Sequence, residues 1–200
     1  MNHPAALKHL KKDQRLSPLI DKFIVPPLLP SVDLYQNLLE SIVSQQLSVK
    51  AADTIFKRFL ALFPGESLPT PAEVLKISDE ALRACGLSRQ KASYLKSLSE
   101  LILEGQLILE DLDSLPDEEV ILLLTKVKGI GRWTAEMFLI FTLGRPDIFS
   151  LGDLGLRTAV SRLYGVDRDN LKAIEDISLQ WQPVRSLASR FLWKSLDNAG

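Results

Sequence analysis

At 200 residues, 46% hydrophobic and 24% charged, the chain has the composition of a globular protein large enough for one good core or two small lobes, not of a disordered or fibrous one. Its net charge of −1 speaks against coating nucleic acid through bulk electrostatics, because binding of that kind rests on Lys and Arg contacts to phosphates. Cys85, the single cysteine, excludes an intramolecular disulfide, a cysteine-ligated iron–sulfur cluster and a thiolate zinc site.

The opening stretch, "MNHPAALKHLKKDQR", lacks the apolar run and small-residue cleavage site of a secretory leader, and no apolar stretch approaches the roughly 18 residues of a membrane span. An intracellular protein with no membrane partner is the expectation: cytoplasm or nucleoid, or nucleus in a eukaryote. Apolar residues at 34, 35, 38, 39, 42 and 43 fit one face of a helix, and 52, 55, 56, 59, 60 and 63 repeat that period in the next. The join between them is "SQQLS". In "SDEALRACG", Ser78 caps a helix that Gly86 ends, and Cys85 falls at an apolar position that predicts a buried thiol rather than a nucleophile. "SRQKASYLKSLSELILEG" follows, with Ser88 as cap and Gly105 as stop.

"SLPDEEVILLLTKV" starts a helix with Pro116 in its first turn and gathers Val120, Ile121, Leu124 and Val127 on one side. After "GIGR" comes another helix, with Phe138 and Phe141 among its apolar positions. "GRPDIFSLGD" reads as a loop, and Asp153 stands where the N-cap of "LGLRTAVSRLYG" belongs. "DRDNLKAIEDISLQW" and "PVRSLASRFLWKSL" complete the chain, Pro183 opening the last helix and Trp181 reading as core. No stretch alternates with period two. The expected architecture is all-α, about ten short helices with small loops.

Charge is unevenly spread. Residues 104 to 119 carry seven acids and no base, whereas residues 122 to 162 carry a local excess of three positive charges. That excess surrounds "KVKGIGRWTAE", where two glycines flank Ile130 between two helical segments. A helical hairpin needs one glycine, at the C′ position of its first helix. The second glycine and the immediate restart at Arg132 suggest N–H groups projecting at a helix N-terminus, a nest for an anion such as a DNA phosphate.

"LTKVKGIGRWTAEMF" resembles the hairpin of the helix-hairpin-helix (HhH-GPD) DNA glycosylase superfamily, and "DIFSLGDLGLRTAV" resembles the stretch that carries its invariant aspartate. "SIVSQQLSVKAADTIFKRF", "CGLSRQKASYL" and "QPVRSLASRFLW" are similar to segments of the 3-methyladenine DNA glycosylase II branch, so the resemblance runs from about residue 30 onward. It implies a two-lobed helical fold with its active-site cleft between the lobes and no N-terminal β domain. The lobes would be 30–145, with the hairpin at 117–143, and 1–29 plus 146–200.

The resemblance also implies an activity. Such an enzyme flips a damaged nucleotide out of double-stranded DNA and fills the gap with a wedge. Gln46 falls at the wedge position, with Gln45 or Leu47 as alternatives one residue away, and these glutamines could otherwise simply solvate a helix junction. Asp153 would be the catalytic carboxylate, stabilising the oxocarbenium-like sugar or orienting the attacking water; as a bare sequence feature it is a helix N-cap. Trp133 and Trp193 match the aromatic walls of the base pocket, although lone tryptophans are more often core. Met137 and Leu154 stand in that pocket where larger bacterial relatives carry tyrosines.

Family members that also cleave the strand have a lysine where this chain has Trp133, so a monofunctional glycosylase for alkylated purines such as 3-methyladenine and 7-methylguanine is expected. Gly129, Gly131, Arg132, Thr134 and Lys128 would face DNA phosphates. Main-chain carbonyls of Thr125, Val127 and Gly129 would hold a sodium or potassium ion, with no cofactor required and a monomer expected. The alternative is a noncatalytic helix-hairpin-helix DNA-binding module.

Overall fold

The structure is a computed structural model that describes residues 1–65 and 68–197. Among these residues there is no strand. Twelve α-helices follow one another: α1 His3–Leu10, α2 Ser17–Lys22, α3 Leu34–Ser44, α4 Val49–Leu60, α5 Pro71–Lys76, α6 Asp79–Ala84, α7 Arg89–Leu103, α8 Asp117–Leu124, α9 Arg132–Phe141, α10 Leu154–Tyr164, α11 Leu171–Leu179 and α12 Arg185–Asp197. A single 3₁₀ turn, Leu109–Asp111, lies between α7 and α8. No helix among the described residues is long and apolar enough to cross a membrane.

Local chemistry sets most helix starts. Asp33, Ser48, Ser78, Ser88, Asp153 and Asn170 each accept a hydrogen bond from an amide in the first turn of the helix they precede, replacing a partner those amides lack inside the helix. Thr70 and Glu73 form a reciprocal capping box on α5. Two starts differ from the sequence reading. Pro116 is the N-cap of α8 rather than a residue of its first turn, and α12 begins at Arg185, leaving Pro183 in the preceding turn.

The chain divides into two compact units. One comprises Met1–Pro30 with the chain from Leu139 onward; the other is Ser31–Phe138. The boundary at 138/139 falls inside α9, whereas the sequence reading put it in the loop after that helix.

In the terminal unit the core collects Leu10, Leu16, Leu156, Val160, Ile174, Phe191 and Leu192 around Trp181, all essentially inaccessible. Trp181 is the core residue its sequence position suggests, and it donates its indole N–H to Asp13 Oδ2 at 2.8 Å. In the central unit Leu38, Leu39, Ile42 and Val43 of α3, Phe59 of α4, Leu95 and Leu98 of α7 and Val120 and Leu124 of α8 are buried, the stripes that helical periodicity marks. Cys85 is buried too, its thiol donating to Leu82 O at 2.9 Å while burial pushes its pKa up.

Candidate active site

The hairpin between α8 and α9 is built around two glycines with different physical reasons. Gly129 has φ +82°, and a Cβ there would lie 2.1 Å from the Tyr94 ring. The backbone packs directly against that ring, which only glycine allows. Gly131 has no atom within 4 Å of its Cβ position and no left-handed backbone, so nothing inside the protein demands glycine there. Ile130 turns inward and is buried, and Lys128 N donates to Ser97 Oγ at 3.2 Å.

Ala135 N donates to Gly131 O at 3.0 Å. The amides of Arg132 and Thr134 precede that bond, at the positive end of the α9 dipole. The Arg132 guanidinium is ion-paired although its side chain is 59% exposed. It donates from Nη1 to Glu118 Oε2 at 3.0 Å, from Nη2 to Glu118 Oε1, and from Nε to Glu136 Oε1 at 2.9 Å. Arg132 thereby braces α8 against α9, and two carboxylates hold the side chain that the sequence places among the phosphate contacts. The Lys128 side chain is exposed.

The turn after α3 has an unusual backbone. Gln46 is the only non-glycine with positive φ, +57°, among the described residues, a conformation that costs an ordinary side chain about 1–2 kcal/mol. Its neighbours hold it there. Lys91 Nζ, from the first turn of α7, donates to Val43 O at 2.7 Å and Gln45 O at 2.6 Å. Gln45 Nε2 donates to Gly129 O at 2.9 Å. Gln46 and Leu47 are left exposed, and Gln45, one of the wedge alternatives, is committed to the hairpin.

In the terminal unit Asp153 caps α10, its Oδ1 accepting from Leu156 N at 2.7 Å. The same oxygen accepts from Trp193 Nε1 at 3.0 Å, so the carboxylate is oriented from both sides. A Cβ on Gly155 would sit 3.0 Å from Asp153 Oδ1 and 3.4 Å from Trp193 Cδ1; glycine lets the indole approach. Phe141 stacks at a tilt on Trp193, ring centroids 5.7 Å apart, and remains 45% exposed. Leu154 is exposed beside them in sequence.

The loop that delivers Asp153 is pinned to the start of α12. Arg185 donates from Nε to Asp147 Oδ1 at 2.8 Å and from Nη2 to Asp147 Oδ2 at 3.0 Å. Ser186 Oγ donates to Arg145 O at 2.6 Å and accepts from Ile148 N at 2.9 Å. One helix therefore fixes both the aspartate loop and, two turns later, Trp193. On α9 of the central unit, Trp133 is 51% exposed and Met137 is half-buried.

Residues 39–183 match the HhH-GPD superfamily base excision DNA repair protein family. The chain belongs to that superfamily. Within it, the chain is similar to DNA-3-methyladenine glycosylase 1 of Schizosaccharomyces pombe, 36% identical over 184 residues that cover 91% of this chain and 81% of that protein. Among solved structures it is similar to the DNA-3-methyladenine glycosidase of Bacillus halodurans, with a TM-score of 0.85 at 37% identity, covering 96% of this chain and 89% of that one. The Schizosaccharomyces pombe 3-methyladenine DNA glycosylase Mag1, solved in complex with abasic DNA, gives a TM-score of 0.80 at 34% identity over 98% of each chain. The all-helical HhH-GPD glycosylase fold is thus established for this chain.

Several contacts lie outside what sequence reasoning singled out: the bonds by which Gln45 and Lys91 hold the turn, Tyr94 under Gly129, the Phe141 ring on Trp193, and Gly155 between Asp153 and the indole. Only Gly155 and Phe141 leave a sequence trace, a glycine and an aromatic near the family motif. The rest are contacts between side chains and backbone distant in sequence.

Proposed function

We propose that the chain is a DNA glycosylase that hydrolyses the N-glycosidic bond of alkylated purines flipped from double-stranded DNA, leaving an abasic site without cutting the strand. The observation that carries this reading is the Asp153 carboxylate, oriented by the indole of Trp193 and the amide of Leu156. A pure binding module has no use for a fixed anion of this kind, which would repel phosphate. The superfamily match and the similarity to 3-methyladenine glycosylases support the substrate class.

As the glycosidic bond lengthens, positive charge grows on the sugar. Asp153 stabilises that charge and orients the attacking water. A purine alkylated at N3 or N7 already carries a positive charge and leaves without a general acid, so the pocket requires π faces and water exclusion more than proton donors. Trp193 and Leu154 of the terminal unit are proposed base contacts, with the exposed ring of Phe141 beside the first, and Trp133 and Met137 of the central unit are proposed base contacts in their own right. Strand cleavage by imine chemistry needs an amine, and α9 carries Trp133 and no lysine.

DNA is held by the Lys128 ammonium and by main-chain N–H groups of Gly129, Gly131, Arg132 and Thr134, and Gln46 is the wedge. The carbonyls of Thr125, Val127 and Gly129 suit a monovalent cation. Val127 O accepts from Ile130 N at 3.1 Å and Gly129 O from Gln45, and each carbonyl keeps a second lone pair. Bound there, sodium or potassium would add positive charge at the phosphate-binding turn.

The test is free-base release from duplexes containing 3-methyladenine or 7-methylguanine, repeated with Asp153→Asn. Release that disappears in the variant while DNA binding persists supports the enzyme; no release from either duplex leaves a binding module. Borohydride should trap no covalent complex, and an adduct would refute the monofunctional assignment.

A further inference from the structure

Helix α7 presents Lys91, Tyr94 and Ser97 at three-residue spacing, one continuous face. All three touch backbone of the segments proposed above to face DNA. Lys91 grips Val43 O and Gln45 O at the turn that exposes Gln46. Tyr94 lies under Gly129, and Ser97 accepts the amide of Lys128. Gln45 closes the circuit by donating to Gly129 O. The central unit thus uses one helix face to fix both the wedge turn and the hairpin.

Lys91 is the member whose chemistry goes beyond packing. The C-terminus of α3 presents carbonyls without intrahelical partners and a partial negative charge. An ammonium with three donors can satisfy two of them at once. Doing so draws Val43 O and Gln45 O toward one point and holds the chain tightly enough that Gln46 stays at φ +57°. Without that clamp, the turn can relax to an ordinary negative φ and re-aim the Gln46 side chain. Lys91 is half-buried, and burial lowers its pKa, whereas the two carbonyls it donates to favour the ammonium form.

We propose that Lys91 is a positioning residue for base flipping: it clamps the α3 turn in the strained form that aims Gln46 into the gap left by the flipped nucleotide. This rests on the glycosylase reading above and deepens it. A residue acting through the wedge matters most where flipping is costly, and less where the lesion is already unpaired.

The experiment compares single-turnover excision of 7-methylguanine placed opposite cytosine and opposite an abasic-site analogue, for wild type, Lys91→Met, Lys91→Arg, Gln46→Ala and the double variant Lys91→Met/Gln46→Ala. Lys91→Met should slow excision about tenfold on the paired lesion and about twofold or less on the unpaired one. Lys91→Arg, which keeps several donors, should recover most of the rate and remains the test if Lys91→Met does not fold. In the Gln46→Ala background, Lys91→Met should add little, as expected for two residues acting as one unit. Equal loss on both duplexes, no loss, or fully additive losses would each overturn the proposal.

If wild type releases no base, the glycosylase reading fails, and Lys91 is judged by fluorescence of a 2-aminopurine in the bound duplex, which reports unstacking without chemistry. A smaller rise in Lys91→Met at equal occupancy sustains the clamp; an unchanged rise ends it.

Discussion

Trp193 donates its indole N–H to Asp153 Oδ1 at 3.0 Å, the oxygen that also caps α10 through Leu156. Capping and catalysis would therefore share one atom. The cap fixes the carboxylate on the helix, and the indole fixes its rotation. Trp193→Phe keeps the ring stack with Phe141 and removes the donor. A hydrogen bond to a charged group contributes about 1.5–3 kcal/mol. Single-turnover base release should therefore fall about 10- to 100-fold, with little change in affinity for undamaged duplex. An unchanged rate would show that the indole only packs.

The two hairpin glycines should separate stability from binding. Gly129→Ala places a Cβ into the Tyr94 ring and forces positive φ on alanine, so it should destabilise the protein by at least about 2 kcal/mol, read as a lowered thermal midpoint. Gly131→Ala meets open space. Its thermal midpoint should hold or rise slightly, while duplex affinity falls about tenfold if a phosphate approaches that backbone. Retained affinity would mean that no phosphate comes close.

The contrast between these glycines marks the limit of what the sequence discloses. Helices α3, α7 and α10 are legible because apolar period and a capping side chain agree in each. Asp153 is legible as a cap before any family is invoked. Helices α2 and α5, of six residues each, are too short for a periodic signal. The Gln45 bond to Gly129 spans 84 residues and the Lys91 bonds span 48 and 46. Each joins a side chain to a main-chain carbonyl, an acceptor that every residue type carries, so no pairing of residue types announces them.

The terminal unit carries an acid-sensitive lock. Burial alone would raise the pKa of Asp13. Hydrogen bonds from the Tyr164 hydroxyl, the Trp181 indole and the amides of Leu16 and Arg15 outweigh it and leave the carboxyl below its ordinary value. A depressed folded pKa adds stability above the unfolded carboxylate pKa, and that stability is lost as pH falls through the folded one. Thermal midpoints should decline from about pH 4 downward. Asp13→Asn should cost about 1.5–3 kcal/mol near neutrality and flatten part of that decline. An identical acid profile in the variant would remove Asp13 from the account.

Salt dependence distinguishes Lys128 from Arg132 at the hairpin. Each phosphate neutralised by a side chain adds about one to the slope of log affinity against log salt concentration. Lys128 is exposed, so Lys128→Gln should lower that slope by about one in anisotropy titrations with undamaged duplex. Arg132 is held by Glu118 and Glu136, and a bidentate guanidinium–carboxylate pair is geometrically demanding to break. Arg132→Gln should therefore leave the slope unchanged and lower thermal stability instead, by loosening α8 from α9. Glu118→Gln gives the converse check: weakening the brace frees the guanidinium, and the slope should rise toward one additional contact. A lower slope in Arg132→Gln itself would mean that the arginine leaves its carboxylates when DNA arrives.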